Sequence, residues 1–187
     1  NLSGITGEYL DKVTDKVVLW AGAGVNGEWL LKQLKKYSKS KELLFMLERG
    51  IDIEWMLKEV DGSVAIEIRD FGQDSDTELF DFDAYAEVKD TPFLVDVEEW
   101  KQGMKEYGMT MQDLGNNHYV LKAEGNTIAW GGEDKHLYFS TQVAPSSAKG
   151  TALKDYEQTI QKSIVFVYVD MKKVQLNKMA KKQGLSS

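Results

Sequence analysis

Residues Gly22-Ala23-Gly24-Val25-Asn26-Gly27 spell GxGxxG, the spacing with which a strand-to-helix turn presents backbone amides to a pyrophosphate. The local context agrees. Residues 17–24 (VVLWAGAG) read as a buried strand. Residues 26–37 (NGEWLLKQLKKY) read as a helix with Asn26 as N-cap and Trp29, Leu30, Leu34 and Tyr37 on one face. A dinucleotide site also needs a second parallel strand that brings an acid to the ribose about 20 residues later. In that place stands a second helix, 41–49 (KELLFMLER), closed by Gly50, and no later strand–helix–strand unit completes a parallel sheet. The expectation is therefore that Gly22, Gly24 and Gly27 shape a joint between strand and helix, with a nucleotide site through Gly22–Gly27 as the less favoured alternative.

Four other groups of residues have the right types for chemistry. Asp74, Asp76 and Glu78 imitate the start of a calcium loop, but positions six and twelve hold Leu79 and Tyr85 where Gly and Glu are required. They read as a solvated acidic loop. Asp81, Asp83 and Glu87 alternate onto one face of a strand. Paired carboxylates of this kind serve acid–base chemistry on sugars when a second acid faces them, here one from the 133–136 turn. Alternation alone also places charges on the wet side of a strand, and that is the preferred reading. His118 and His136, the only histidines, each open a strand beside turn residues and read as surface groups. Tyr85 and Tyr138 alternate outward, away from Ile128, Trp130, Leu137 and Phe139, and exposed aromatics anchor sugars or protein partners. Tyr85, Tyr138, Asp81 and Asp83 are thus the candidate ligand or partner surface. No catalytic residue, metal ligand or cofactor is assigned.

The elements that must position these residues follow from periodicity. A helix runs over 52–59 with Asp52 as cap and Trp55 and Met56 inward. Val64, Ile66 and Ile68 alternate with Ala65, Glu67 and Arg69 in a strand whose aliphatic face is read as inward. The stretch 79–89 alternates again, with Phe80, Phe82, Ala84, Ala86 and Val88 inward. A helix over 91–107 precedes four strands near 109–113, 118–123, 126–131 and 136–141. A small-residue loop over 144–153 and a helical stretch at 154–162 follow. The strand 164–169 (IVFVYV) is apolar on both faces and reads as central in a sheet, and a basic helix, 171–182, closes the chain.

This order predicts an α+β fold, a mainly antiparallel sheet with helices packed on one face. Residues 1–162 form the α+β domain. Residues 163–187 are a final strand and helix that either complete the sheet or begin a second similar unit, because AGAGVNGEWLLK (21–32) and VFVYVDMKKVQL (165–176) share a strand running through Val-Asn or Val-Asp into a helix.

Composition narrows the function classes. A chain of 187 residues with 42% hydrophobic residues and five tryptophans sustains its own core. A net charge of −7 repels phosphate backbones, so nucleic acid is excluded as a partner. The absence of cysteine removes disulfides, thiol catalysis and thiolate metal sites. No apolar run approaches the length of a membrane span.

Across most of its length the sequence resembles domain-of-unknown-function family 4836, uncharacterised Bacteroidetes envelope lipoproteins. The resemblance is carried by LWAGAGVNGEWLLKQL (19–34), GIDIEWMLKEVDGSVAIEI (50–68), AEVKDTPFL (86–94), YVLKAEGNTIAWGGEDKHLYFST (119–141) and FVYVDMKKV (166–174). It implies a longer parent with a lipoprotein signal, export to the periplasm or cell surface, and membrane attachment only through a lipid anchor outside this chain. It brings no activity and no catalytic residues. The expected function is a non-enzymatic binding or interaction module with a protein or glycan partner. The alternative is an extracytoplasmic glycan-acting enzyme or glycan-binding domain.

Overall fold

The computed structural model describes residues 4–36, 53–70, 81–90, 102, 105–106, 108–123, 126–143 and 150–176. The expected helix over 41–49, most of the one over 91–107, the acidic loop 72–78 and the loop 144–149 lie outside these residues.

A 3-10 helix (Gly7–Lys12) precedes β1 (Leu19–Asn26) and α1 (Gly27–Leu34). Then come α2 (Ile53–Glu59), β2 (Val60–Asp70) and β3 (Asp81–Val88). The meander β4 (Thr110–Gly115), β5 (His118–Ala123), β6 (Asn126–Glu133) and β7 (His136–Ser140) follows, and α3 (Glu157–Gln161) leads into β8 (Val165–Val169). The strands form one antiparallel sheet of order β4-β5-β6-β7-β3-β2-β1-β8. The hairpins β4–β5 and β6–β7 turn on Asn116-Asn117 and Asp134-Lys135, all four with positive φ, the geometry that matches the right-handed twist of the flanking strands.

Alternation assigns side chains to the two faces correctly, but the well-covered face is the opposite of the one expected. Ala65, Glu67, Arg69 and Asp83 are buried, whereas Val64, Ile66, Ile68, Phe82, Ala84 and Ala86 are only half-buried. The cover is supplied by the N-terminal segment. Ile5, Tyr9, Leu10, Val13 and Val17 join Leu153 and Ile160 over Trp20 and Ala65. Two polar staples fix this cover: the Thr14 amide and hydroxyl donate to Glu67 Oε1 at 3.1 and 2.6 Å, and the Thr6 amide donates to Ser63 Oγ at 2.6 Å. On the opposite face an apolar groove of about 330 Å3 runs over Ala21, Ala23, Val64, Ile66, Ala84 and Phe139.

Two further expectations change. In α1, Asn26 caps the helix as read, its Oδ1 accepting from the Trp29 amide at 2.9 Å, but Leu31 is the buried residue and Trp29 is 53% exposed. The helix is only eight residues long and meets α2, so its contact stripe is set by that neighbour. The strand read as central, β8, lies at the edge of the sheet among the described residues. Its Phe166 and Tyr168 pack against the core, while Val165, Val167 and Val169 are 64%, 58% and 40% exposed.

Candidate functional site

The four candidate residues separate into two places. Asp81 and Asp83 converge on Arg69. The Arg69 guanidinium donates from Nε and Nη2 to Asp81 at 3.1 and 2.8 Å, and from Nη1 and Nη2 to Asp83. Ser140 Oγ adds a donation to Asp83, and Thr141 Oγ1 one to Asp81 at 2.7 Å. Register explains the meeting, because Glu67, Asp83 and Ser140 lie directly opposite one another across β2, β3 and β7. Asp83 and Arg69 are buried, which corrects the expectation that the carboxylates point to solvent. The two carboxylates are neutralised by a cation 12 and 14 residues away in sequence, a partner that strand alternation does not reveal.

The electrostatics of this cluster follow from its geometry. Arg69's hydrogen bond holds the Asp81 carboxyl below the usual carboxylate range, against the opposing effect of burial. Burial works against the Arg69 charge, but its bonds to Asp81 and Asp83 more than offset this and raise its pKa. Glu67 moves the other way. Burial raises its pKa despite the two Thr14 bonds, and its Oε2 has no hydrogen-bond partner among the described residues and stands 3.9 Å from Arg69 Nη1. The Arg69 bonds tie β2 to β3 and engage both Asp81 and Asp83, so a charge-balanced cluster, not a pair of free carboxylates, occupies this face.

Tyr85 and Tyr138 lie elsewhere, directly opposite each other on β3 and β7, and both line a polar cleft of about 180 Å3. The cleft opens between the N-terminal 3-10 helix and the ends of β5, β6 and β7. Its walls are Glu8, Tyr9, Lys12, His118, Glu133, Asp134, His136 and Leu137. The two hairpin turns deliver the histidines, since each is the first residue after a turn. His118 Nδ1 and the Tyr138 hydroxyl share a hydrogen bond of 2.8 Å across β6. They meet above Gly131, where a Cβ would come within 2.3 Å of His118 Nδ1 and 2.7 Å of the Tyr138 ring, so glycine is required at that crossing.

The opposite wall is built on Tyr9. Its ring stacks on Tyr85 with centroids 5.3 Å apart and planes at 20°, and its hydroxyl shares a 2.8 Å hydrogen bond with His136 Nδ1. Lys12 Nζ lies 5.4 Å from the Tyr85 ring centre, within cation–π range. Burial raises the pKa of Tyr9, Tyr85 and Tyr138, with the carboxylates Glu87 and Glu8 adding to the effect at Tyr9. All three phenols therefore stay neutral at ordinary pH. Tyr9 carried no sequence signal, because a single short turn has no periodicity to set it apart.

His136 Nε2 is 3.3 Å from Glu8 Oε2, and these two residues with Glu87 place one donor atom each within 4.8 Å of one another. The Ser63 amide orients the Glu87 carboxylate, and the Tyr9 hydroxyl orients the His136 ring. One imidazole and two carboxylates are the donor types that a divalent cation takes, so these three side chains have the make-up of a metal site at the edge of the cleft.

The glycine motif is filled by the protein itself. A Cβ on Gly22 would lie 2.4 Å from the Trp20 indole, and one on Gly27 only 1.6 Å from the Leu57 carbonyl oxygen. The Gly24 amide donates to Ile164 O at 2.8 Å. β1 runs antiparallel to both neighbours, β2 and β8, whereas a dinucleotide crevice needs a parallel βαβ unit.

A family model described as Domain of unknown function (DUF4836) matches residues 2–177. Comparison with curated proteins returned no match, and comparison with solved structures returned none.

Proposed function

The chain belongs to the DUF4836 family, and from that premise we propose that it is a non-enzymatic binding module that holds a hydroxyl-rich ligand, a glycan fragment, in the Tyr85–Tyr138 cleft. The observation that carries this reading is the make-up of the cleft. Aromatic rings form its floor, and imidazole, phenol, carboxylate and ammonium groups stand around them. A sugar ring offers an apolar face to an aromatic ring and a rim of hydroxyls to such donors and acceptors. Preorganisation supports the same reading. Tyr138 is tied to His118, Tyr9 to His136, and Tyr85 is clamped under Tyr9, so little side-chain freedom is lost on binding.

The carboxylates that a glycan-cleaving enzyme would draw on, Asp81 and Asp83, are held by Arg69 and do not line the cleft. The pairing that the glycan-cleaving alternative rested on, Asp81 or Asp83 facing an acid of the 133–136 turn, is therefore without support. The setting we propose is the cell envelope, periplasm or cell surface, with attachment through a lipid anchor outside these residues. Its support is the resemblance to envelope lipoproteins. Among the described residues no helix is long and apolar enough to cross a membrane.

The test is calorimetric titration with a panel of envelope polysaccharide fragments, on the native chain and on Tyr138→Ala and His136→Ala. Binding of one saccharide class, lost in both variants while they remain folded, is the expected result. Binding that both variants retain, or a panel with no binder, overturns the reading.

A further inference from the structure

We propose that β8 is the first strand of a second unit of this same fold, and that its outer edge, unpaired among the described residues, takes a strand equivalent to β2 from that unit. Strand, cap and helix recur in order. Asn26 Oδ1 caps α1 by accepting from the Trp29 amide at 2.9 Å. Asp170 Oδ1 accepts from the Lys172 and Lys173 amides at 3.1 and 3.2 Å where a helix begins at 171. Setting Asn26 on Asp170 sets Ala21, Gly22 and Ala23 on Val165, Phe166 and Val167.

The sheet relates the same residues by a local two-fold axis. Gly22 stands opposite Phe166, its own counterpart, while Ala21 stands opposite Val167 and Ala23 opposite Val165. An offset one residue different would carry each side chain to the opposite face of the sheet. With the observed offset, both strands keep their core-facing and outer residues in step.

The backbone completes the correspondence. The Gly24 amide donates to Ile164 O and the Asp170 amide to Val18 O, each at 2.8 Å. By antiparallel alternation, residues 164, 166, 168 and 170 direct their amides and carbonyls at β1. Val165, Val167 and Val169 direct theirs at the open edge. Their counterparts Ala21, Ala23 and Val25 face Ile66, Val64 and Gly62 of β2. Among the described residues, the groups left unpaired on β8 are thus the ones that β1 uses to bind β2.

An edge strand in water is protected by lysine, proline or a bulge. β8 (VFVYV) has none of these, and its three valines stand 64%, 58% and 40% exposed. The occupant that fits is a β2-like strand with small or aliphatic residues opposite the valines, carried by a following unit of the same polypeptide. The inference is independent of the cleft and its ligand.

Hydrogen–deuterium exchange on the full-length protein and on the 187-residue chain tests it, together with Val167→Lys in both. In the full-length protein the Val165, Val167 and Val169 amides should exchange on the order of a hundredfold more slowly than in the shorter chain. Val167→Lys should lower the melting temperature of the full-length protein and leave that of the shorter chain nearly unchanged, since lysine suits an open edge. Equal exchange in both proteins overturns the proposal. So does protection that grows with the concentration of the shorter chain, which would mean that β8 pairs with β8 of another copy.

Discussion

Replacing Arg69 by methionine should be among the most destabilising single changes in this chain. The side chain is 2% exposed, and so is that of Asp83. Methionine keeps much of the volume, so the effect reads charge and hydrogen bonding more than a cavity. Asp83 would retain the Ser140 donation but lose the cation that neutralises it inside the fold. Removing one partner of a buried pair costs about 3–5 kcal/mol, because the other charge is left uncompensated. For a chain of this size each kcal/mol lowers the melting temperature by roughly 2–4 °C, so the expected drop is roughly 6–20 °C. Urea unfolding, with its slope compared between variants, checks that the change is one of stability. Asp83→Asn in the Arg69→Met background should recover about half of the loss, since the stranded charge is then gone. A drop of only about 1 kcal/mol, or a double variant no more stable than the single one, would refute the view that the cluster is a buried, charge-balanced staple.

Glu67 and Asp81 should give opposite pH signatures. Burial raises the Glu67 pKa, so its protonated form is favoured in the fold. Its contribution is full below the ordinary value of 4.5 and is lost as pH rises through the raised value, so Glu67→Gln should gain on the native chain over that rise in denaturant titrations. Arg69 lowers the Asp81 pKa, so that contribution is present above 3.8 and lost as pH falls through the lowered value; the penalty of Asp81→Asn should shrink there. Gly27→Ala, a change that favours most helix starts, should destabilise by about 1–3 kcal/mol because the new Cβ meets the Leu57 carbonyl; an unchanged melting temperature would deny that close approach. Tyr9→Phe keeps the stack on Tyr85 but loses the His136 bond, so saccharide affinity should fall while stability changes by only about 0.5–1.5 kcal/mol.

The antiparallel sheet and the order of its strands along the chain were legible because their signals are local, while several strand ends lie two residues from where periodicity puts them. The period-two pattern of 64–69 needs no distant partner, nor do the turn residues Asn116-Asn117, whereas the turn after β6 falls on Asp134-Lys135 because Gly132 and Glu133 continue that strand. Which face is covered was not legible. Val64, Ile66 and Ile68 look like a core face, yet the N-terminal segment crosses the other side and Arg69 makes Asp83 tolerable there. Pairing between residues that meet only in the folded sheet decides this, and periodicity carries none of it. Tyr85 and Tyr138 were found as strand-borne aromatics, whereas Tyr9, which clamps Tyr85, sits in a turn with no pattern of its own. Asp81 and Asp83 were legible as carboxylates on one face, and their placement on Arg69 separates them from the cleft.

The central claim is that the cleft under Tyr9 is the ligand site. Amide and aromatic NMR shifts, followed while envelope saccharides are added to the native chain, test it most directly. Binding at this site predicts saturable shifts confined to Tyr9, Tyr85, His118, His136 and Tyr138 and their neighbours, absent in Tyr138→Ala. Saturable shifts centred on the apolar groove over Ala21, Val64 and Ala84, with the cleft silent, would contradict it.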